Sequence, residues 1–171
     1  MRIAILSDTH LPRFGRVLPT WLVTSLEAAD IERIVHAGDW TAEMAVDLLE
    51  AIAPVDGIAG NNDGPELHER FGTRRVIEID GVRIGLTHGH LGPGRTTEER
   101  ARNAFDSEAE LNAIVFGHSH IPLVRRLGSG TWLVNPGSPT DKRRQPEYTW
   151  ALLGVSRGAI DGVELVRYRP E

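Results

Sequence analysis

Residues 2–10 read RIAILSDTH, a short apolar run that stops at a serine, a carboxylate, a threonine and an imidazole. Such a run is too short for a buried helix and is typical of a strand covered on both faces. The same pattern returns twice downstream, at Arg33–Ala37 before Gly38-Asp39 and at Pro54–Ala59 before Gly60-Asn61-Asn62-Asp63. We therefore predict three buried strands, each followed by polar residues.

Helical patterns separate these three strands. Pro19–Ala29 carries apolar residues at helical spacing, and Thr41 is placed to cap a helix over Ala42–Ile52. Parallel strands need crossover connections, which helices provide. The first part of the chain is therefore expected to fold as alternating parallel strands and helices.

Strand patterns dominate the second part of the chain. We predict one helix, Thr97–Leu111, and strands at Arg75–Ile79, Val82–Thr87, Ala113–Phe116, Pro122–Leu127, Thr131–Val134, Tyr148–Val155 and Gly162–Arg167. Asp80-Gly81 is a strong hairpin signal between the first two of these strands. The whole pattern predicts a mixed α/β (α+β) fold, a four-layer sandwich of two mixed β-sheets packed face to face with helices outside.

Length and composition exclude several classes of protein. The chain has 171 residues, which suits a single domain spanning 1–171. It has no cysteine, which excludes disulfides, iron–sulfur clusters and thiol catalysis. Its formal charge of −5 argues against a dedicated nucleic-acid surface. No signal peptide or long apolar run is present, so we expect a cytoplasmic protein that does not enter a membrane.

Metal-compatible side chains follow five of the predicted strands. They are Asp8 and His10, Asp39, Asn61, His88 and His90, and His118 and His120. Loops at the carboxyl ends of strands are where α/β sheets build their sites. Carboxylate, amide and imidazole donors suit manganese, iron, nickel, cobalt or zinc. So many donors favour two ions that share a carboxylate.

Each motif taken alone has a simpler explanation. Asp39 could be a helix N-cap, Asn61-Asn62 a turn, and His88 and His90 hydrogen-bonded core and rim residues. His36, inside a strand, is interpreted as a buried histidine rather than a ligand. The coincidence of such residues at five strand ends favours the metal site.

The chain resembles the calcineurin-like metallophosphoesterase superfamily through the ordered set Asp8-x-His10, Gly38-Asp39, Gly60-Asn61, His88-Gly89-His90 and Gly117-His118-Ser119-His120. Its short length and Asn135-Pro136-Gly137-Ser138, a turn that would support the site, resemble the small bacterial and archaeal phosphodiesterases of that superfamily. The resemblance implies one ion held by Asp8, His10 and His120. It implies a second ion held by Asn61, His88 and His118, with Asp39 bridging both.

The resemblance also implies a reaction, the hydrolysis of phosphodiesters by a hydroxide that bridges two divalent transition-metal ions. We expect manganese first, with nickel, iron or zinc as alternatives. Many members have a histidine after the metal-binding asparagine, but this chain has Asn62, and an amide cannot act as a general acid. We therefore expect slow turnover on esters with poor leaving groups unless His90 or a metal-bound water replaces that acid. Asn62, His90 and Asp39 are the catalytic candidates.

Several weaker candidates remain open. Arg13 and Arg16 could clamp a phosphate or lie in a solvated loop. Residues 141–144, Asp-Lys-Arg-Arg, form a solvated loop that could meet an anionic substrate. Trp40 could be a core or interface residue or could wall the pocket, and Asp63 could orient a ligand or form a turn.

Two rival functions are kept beside the phosphoester substrate. The retromer scaffold subunit of eukaryotes shares the superfamily fold and mainly binds proteins, so a non-enzymatic scaffold is the first alternative. A metal-dependent amide hydrolase is the second, because it also uses two-metal chemistry. The physiological substrate stays open, and the terminal strands would allow a homodimer.

Overall fold

Strands outnumber helices in the computed structural model, which describes residues 1–170. Along these residues the elements are β1 (Arg2–Leu6), α1 (Thr20–Ala28), β2 (Arg33–His36), α2 (Glu43–Glu50), β3 (Val55–Gly57), α3 (Pro65–Phe71), β4 (Arg74–Ile79), β5 (Val82–Thr87), α4 (Thr97–Asn103), β6 (Ala113–Val115), β7 (Leu123–Arg126), β8 (Trp132–Asn135), β9 (Tyr148–Ser156) and β10 (Ala159–Tyr168). Every predicted strand is present, and its bounds move by at most three residues. No helix within residues 1–170 has the length and apolar character needed to cross a membrane.

The strands form two five-stranded sheets, ordered β10-β9-β1-β2-β3 and β4-β5-β6-β8-β7. In the first sheet β1, β2 and β3 are parallel, while β9 and β10 run antiparallel to their neighbours. In the second sheet β5, β6 and β8 are parallel, and β4 and β7 are antiparallel edges. Both sheets are therefore mixed, as predicted.

Alternating side chains along β1 show how the layers stack. Ile3 and Ile5 belong to the core between the sheets, where they join Ile84 of β5. Leu6 points the other way and packs with Leu22 of α1 in a second core. A third core joins α4 to the outer face of the second sheet. The order is thus helices, sheet, sheet, helix, and each fully buried aliphatic side chain contributes about 1.5–3 kcal/mol.

Three helices differ from the sequence-based expectation. Thr41 does not cap α2, because its backbone has a positive φ of 82° and its N–H donates to Asp63 Oδ1. The helix at Thr97 ends at Asn103 rather than Leu111, because Phe105 turns inward against the second sheet. The sequence analysis assigned no element to α3, although Pro65 in its first turn is a helix signal.

Candidate metal centre

The candidate ligands lie in the loops that follow β1, β2, β3, β5 and β6. Five of them have a left-handed backbone with positive φ, namely Asp8, His10, Asp39, His118 and His120. This conformation costs an L-residue about 1–2 kcal/mol and is concentrated at functional sites. The strained backbone therefore marks these loops independently of their residue types. Asp39 lies outside the helix that follows it, so it is not an N-cap.

Asp8 is fully buried, and its two carboxylate oxygens have different surroundings. Oδ2 accepts hydrogen bonds from Ser7 Oγ at 2.7 Å and from the His118 backbone N–H at 3.0 Å. Oδ1 has no hydrogen-bond partner among the described residues and lies 3.1 Å from His120 Nε2 and 3.9 Å from His88 Nε2. A buried anionic oxygen without a partner is costly, so this position favours a cation.

Two glycines allow the backbone to come this close to the carboxylates. A Cβ atom at Gly117 would overlap Ser7 Oγ and crowd Asp8 Oδ2. A Cβ atom at Gly60 would overlap Asp39 Oδ1. Any other residue at either position would displace a candidate ligand.

Two histidines present Nε2 to the carboxylates because Nδ1 is already bound. His88 Nδ1 lies 2.7 Å from the carbonyl oxygen of Ala37, and His120 Nδ1 lies 2.5 Å from the carbonyl oxygen of Asp141. A carbonyl oxygen can only accept, so each Nδ1 carries the proton and donates it. In the neutral ring Nε2 then keeps its lone pair, an arrangement typical of metal-binding histidines.

Asp39 lies between histidines that belong to different sides of the centre. Its Oδ2 is 3.2 Å from His88 Nε2 and 3.7 Å from His10 Nε2. Asn62 holds the same carboxylate, since its backbone N–H donates to Oδ1 at 2.8 Å and its side-chain Nδ2 donates to Oδ2 at 2.6 Å. The carboxylate is therefore fixed where a shared ligand would have to lie.

Asp63 links the loops that follow β2 and β3. Its Oδ2 accepts hydrogen bonds from the backbone N–H groups of Asp39 at 2.9 Å and Gly60 at 2.7 Å. Its Oδ1 accepts a third from Thr41 at 2.7 Å. Burial raises the pKa of Asp63, and the backbone bonds oppose that rise. Of the two roles predicted for Asp63, the contacts support the orientation of a candidate ligand.

The charges at the centre suit a divalent cation. Burial raises the pKa of Asp8, but the contact with His120 and the charge of His88 outweigh burial and leave that pKa below its usual value. Burial also raises the pKa of Asp39, and the close contact with His88 outweighs this effect and lowers it. Burial lowers the pKa of His10, which keeps its ring neutral. Two carboxylates thus face one neutral imidazole, since His10 Nε2 lies 3.8 Å from Asp8 Oδ1 and 3.7 Å from Asp39 Oδ2.

The donor atoms form two overlapping groups. Within each group the three ligand atoms lie within 4.8 Å of one another, and the groups are Asp8, His10 and His120, and Asp8, Asp39 and His88. The first group has the same members as the first ion site implied by the resemblance. The second brings both carboxylates beside His88. Carboxylate and imidazole donors at these separations fit divalent transition-metal ions.

Three further candidates lie at the rim of the centre. The ring centroids of His118 and His90 lie 5.2 Å and 5.3 Å from that of His88. His90 Nδ1 is buried and lacks a hydrogen-bond partner within residues 1–170, and burial lowers the pKa of His90 to about 4. Asn61 is exposed at the end of β3, next to Asn62. The structure therefore brings His88, His90 and His118 together and leaves Asn61 exposed in the loop after β3.

Residues 135–140 tie the ligand loops to one another. Asn135 Nδ2 donates to the carbonyl oxygen of Gly117 at 2.9 Å, and Ser138 Oγ donates to the carbonyl oxygen of Asp8 at 2.7 Å. Thr140 Oγ1 donates to the carbonyl oxygen of Thr9, the residue that follows Asp8, at 2.6 Å. The supporting turn at 135–138 was predicted from the sequence, but the hydrogen bonds of the Ser138 and Thr140 hydroxyls were not, because serine and threonine are common in any loop.

Trp40 does not wall a pocket, so that expectation is wrong. Its ring is fully buried between those of His36 and Phe71, at centroid distances of 3.6 and 5.2 Å. Its Nε1 donates to the carbonyl oxygen of Ile58 at 2.9 Å. His36 is a buried, hydrogen-bonded histidine as predicted, since Nδ1 accepts from the Gly38 N–H at 3.1 Å and burial lowers its pKa to about 3.

Comparisons with known proteins agree with the geometry. The family model of the calcineurin-like phosphoesterase superfamily domain matches residues 1–158. The chain belongs to this superfamily. The resemblance inferred from the motifs is therefore confirmed. Membership and the cluster of Asp and His donors support a metal-binding phosphoesterase hydrolase.

Relatives of this superfamily member include archaeal proteins. The "Probable metallophosphoesterase" of Methanothermobacter thermautotrophicus is 34% identical over 169 residues, which cover 96% of this chain and 89% of the relative. Vps29 of Entamoeba histolytica, solved with zinc, has a TM-score of 0.76 at 22% identity and covers 98% of each chain. A structure described as an archaeal phosphodiesterase has a TM-score of 0.74 at 21% identity and covers 98% of this chain and 100% of its own. These structural likenesses show a common fold.

Proposed function

We propose that the protein is a dinuclear, metal-dependent phosphodiesterase. The observation that supports this best is the pair of unpartnered buried donors, because Asp8 Oδ1 and His88 Nε2 lie 3.9 Å apart without a hydrogen-bond partner in the described chain. Phosphoryl transfer depends mainly on positioning and on neutralising charge, which such a site can provide. The name of the Methanothermobacter relative supports the same reaction class.

The proposed ligand set follows the family resemblance, and the two groups of donors contain five of its seven residues. Seven residues hold two ions between them, with Asp8, His10 and His120 on the first, Asn61, His88 and His118 on the second, and Asp39 on both. When bound, two divalent cations lower the pKa of a coordinated water and neutralise the charge of the phosphoryl group. We expect manganese, with nickel, iron or zinc as alternatives, because these donors do not select strongly among them.

The remaining catalytic candidates would contact the ester. His90 Nδ1 is unpartnered in the described residues and would contact a substrate oxygen, while Asn62 holds Asp39 through its amide. An amide donates a hydrogen bond but cannot give up a proton to a leaving group. Substrates whose leaving groups depart easily are therefore favoured, and activated phosphodiesters are the expected class.

A phosphodiesterase assay tests this proposal directly. Protein loaded with Mn²⁺ is expected to hydrolyse bis-p-nitrophenyl phosphate, and chelator-treated protein is not. Asp39→Ala is expected to lose both turnover and bound metal, because Asp39 Oδ2 faces both His88 and His10. Asp161→Ala, which removes an exposed carboxylate on β10, is the matched control. Full metal occupancy or a wild-type rate in Asp39→Ala would contradict the assignment.

A non-enzymatic protein scaffold is the second candidate function. Large apolar side chains are exposed on the loops that follow β1, β5 and β6, at Phe14 (40% exposed), Leu91 (52%) and Ile121 (55%). Exposed apolar groups on neighbouring loops are typical of protein-binding surfaces. The assay above separates the two functions, since a fully metal-loaded protein that turns over no ester in a broad panel favours the scaffold.

A further inference from the structure

Arg143 lies at the edge of the candidate metal centre, in the loop between β8 and β9. Its Nη1 donates to the carbonyl oxygen of His118 at 3.4 Å, and its Nε lies 3.8 Å from Asp141 Oδ2. The backbone carbonyl oxygen of Asp141 also accepts a hydrogen bond from His120 Nδ1. The guanidinium therefore contacts a residue assigned to the second ion and, through Asp141, is linked to His120 of the first.

The guanidinium of Arg143 keeps most of its hydrogen-bonding capacity. It has five N–H groups, of which one makes the long bond to His118, and the side chain is 49% exposed. Other arginines of the chain lie closer to carboxylates, in the pairs Arg33 with Asp56, Arg74 with Glu108, and Arg125 with Glu98. The neighbouring Lys142 is also engaged, since its Nζ donates to the carbonyl oxygen of Gln145 at 3.0 Å. Of Lys142 and Arg143, Arg143 is thus the one that contacts a residue of the centre and keeps free N–H groups.

We propose that Arg143 is a substrate-binding residue that clamps the phosphoryl oxygens of the ester. A planar guanidinium matches two oxygens of a phosphate at once, whereas an ammonium group acts as a point charge. Because the chain carries a net charge of −5, this local cation favours an anionic ligand at the centre against the overall charge of the protein. The inference rests on the proposed phosphoesterase function and assigns the anion-recognising group of that site.

The test compares three variants in the Mn²⁺-loaded protein. Arg143→Gln removes the charge and the fork, and Arg143→Lys keeps only the charge. Arg157→Gln is the matched control, because Arg157 is also exposed with a positive φ of 50°, but it lies in the turn between β9 and β10. Just before that turn, the backbone N–H of Val155 donates to the carbonyl oxygen of Met1. The turn therefore lies near the start of β1, whereas the centre lies at the loop after β1.

Binding of inorganic phosphate, measured by calorimetry, is the first readout. Arg143→Gln is expected to weaken phosphate binding by about 10- to 100-fold, as for the loss of a charged hydrogen bond. Arg143→Lys is expected to lie between that variant and the wild type, and Arg157→Gln is expected to match the wild type. Elemental analysis should find the same metal content in all four proteins, and kcat/KM for the diester should follow the order of phosphate affinity.

Several results would overturn this inference. The first is equal phosphate binding in Arg143→Gln and Arg157→Gln. The second is a wild-type protein that binds no phosphate. The third is a loss of metal in Arg143→Gln, which would mean that Arg143 holds the His118 loop in place. If Arg143→Gln does not fold, a fully wild-type Arg143→Lys contradicts the clamp. Phosphate binding that depends on Arg143 in a protein that hydrolyses no ester would support the clamp and refute the phosphodiesterase function.

Discussion

At the scale of single residues, the donors of the centre are fixed through one atom and presented through another. Asp8 is held through Oδ2, and His88 and His120 are held through Nδ1. Because one atom of each side chain is hydrogen-bonded within the protein, the other atom already points into the centre before a ligand binds. Such donors lose little rotamer entropy on binding, and hydrogen-bonded partners of this kind typically change metal affinity by about 10- to 100-fold.

Asn62→His is expected to raise the activity on esters with poor leaving groups. The reason is that an imidazole can supply a proton, and general acid catalysis is typically worth about 10²–10⁴-fold. The variant also loses the amide bond to Asp39 Oδ2, so the informative quantity is a ratio. We expect the rate on an alkyl ester relative to a p-nitrophenyl ester to rise at least about tenfold, measured at equal metal content. An unchanged ratio in a folded, loaded variant would refute this role.

The candidate ligands could be named from the sequence, but their surroundings could not. Asp8 and His10 stand out because an apolar strand ends directly before them. Ser7 and Ser138 give no such signal, since a hydroxyl is common in turns and its partner is set by the fold. The positive φ values at Asp8 and Asp39 are equally invisible, because the sequence does not reveal which residues are forced into that conformation.

At the scale of elements, strands were easier to predict than helix ends. β1 and β2 consist mainly of buried apolar residues, and such apolar runs are visible in the sequence. The end of α4 depends instead on Phe105 turning into the third core, a tertiary contact that periodicity does not contain. The start of α2 depends on Asp63, which binds Thr41 from another loop. Long-range contacts of this kind decide where an element stops.

Ser138→Ala is expected to weaken metal binding because it removes hydrogen bonds that hold the Asp8 loop in place. Ser138 Oγ donates to the Asp8 carbonyl oxygen and accepts the Asp141 N–H at 2.8 Å. Alanine leaves the Asp141 N–H without this acceptor and the Asp8 carbonyl oxygen with only the 3.3 Å bond from Thr140 Oγ1. We expect a loss of about 1–3 kcal/mol in the free energy of unfolding and weaker metal binding by about tenfold or more. Urea unfolding of the chelated protein and metal titration measure the two effects. Ser156→Ala, at an exposed serine of β9, should change neither, and equal effects in both variants would refute the prediction.

At the scale of the whole molecule, the candidate centre lies where the two sheets meet. Asp8 and Asp39 follow strands of the first sheet, and His88 and His120 follow strands of the second. A direct bond also crosses between them, since His88 Nδ1 donates to the carbonyl oxygen of Ala37. Ions bound at this position would therefore join the sheets at one end of the sandwich.

Addition of Mn²⁺ is expected to raise the Tm of the chelated protein. An ion that binds only the native state at 100 times its Kd adds about 2.7 kcal/mol. For a chain of this size that corresponds to roughly 5–10 °C. Calorimetric scans with chelator and with Mn²⁺ measure the shift, and Asp39→Ala should show a much smaller one. An equal shift in the variant would mean that the ion binds elsewhere.

The placement of the ligands on both sheets has a consequence for the protein during its synthesis. The first carboxylate is residue 8 and the last imidazole is residue 120, and the hydroxyl that supports the former belongs to residue 138. A nascent chain that ends before β6 lacks His118 and His120, so it has only one of the two groups of donors, Asp8, Asp39 and His88. Loading of both proposed ions would therefore have to wait until the ribosome has made most of the polypeptide, and it would require the two halves of the protein to have joined.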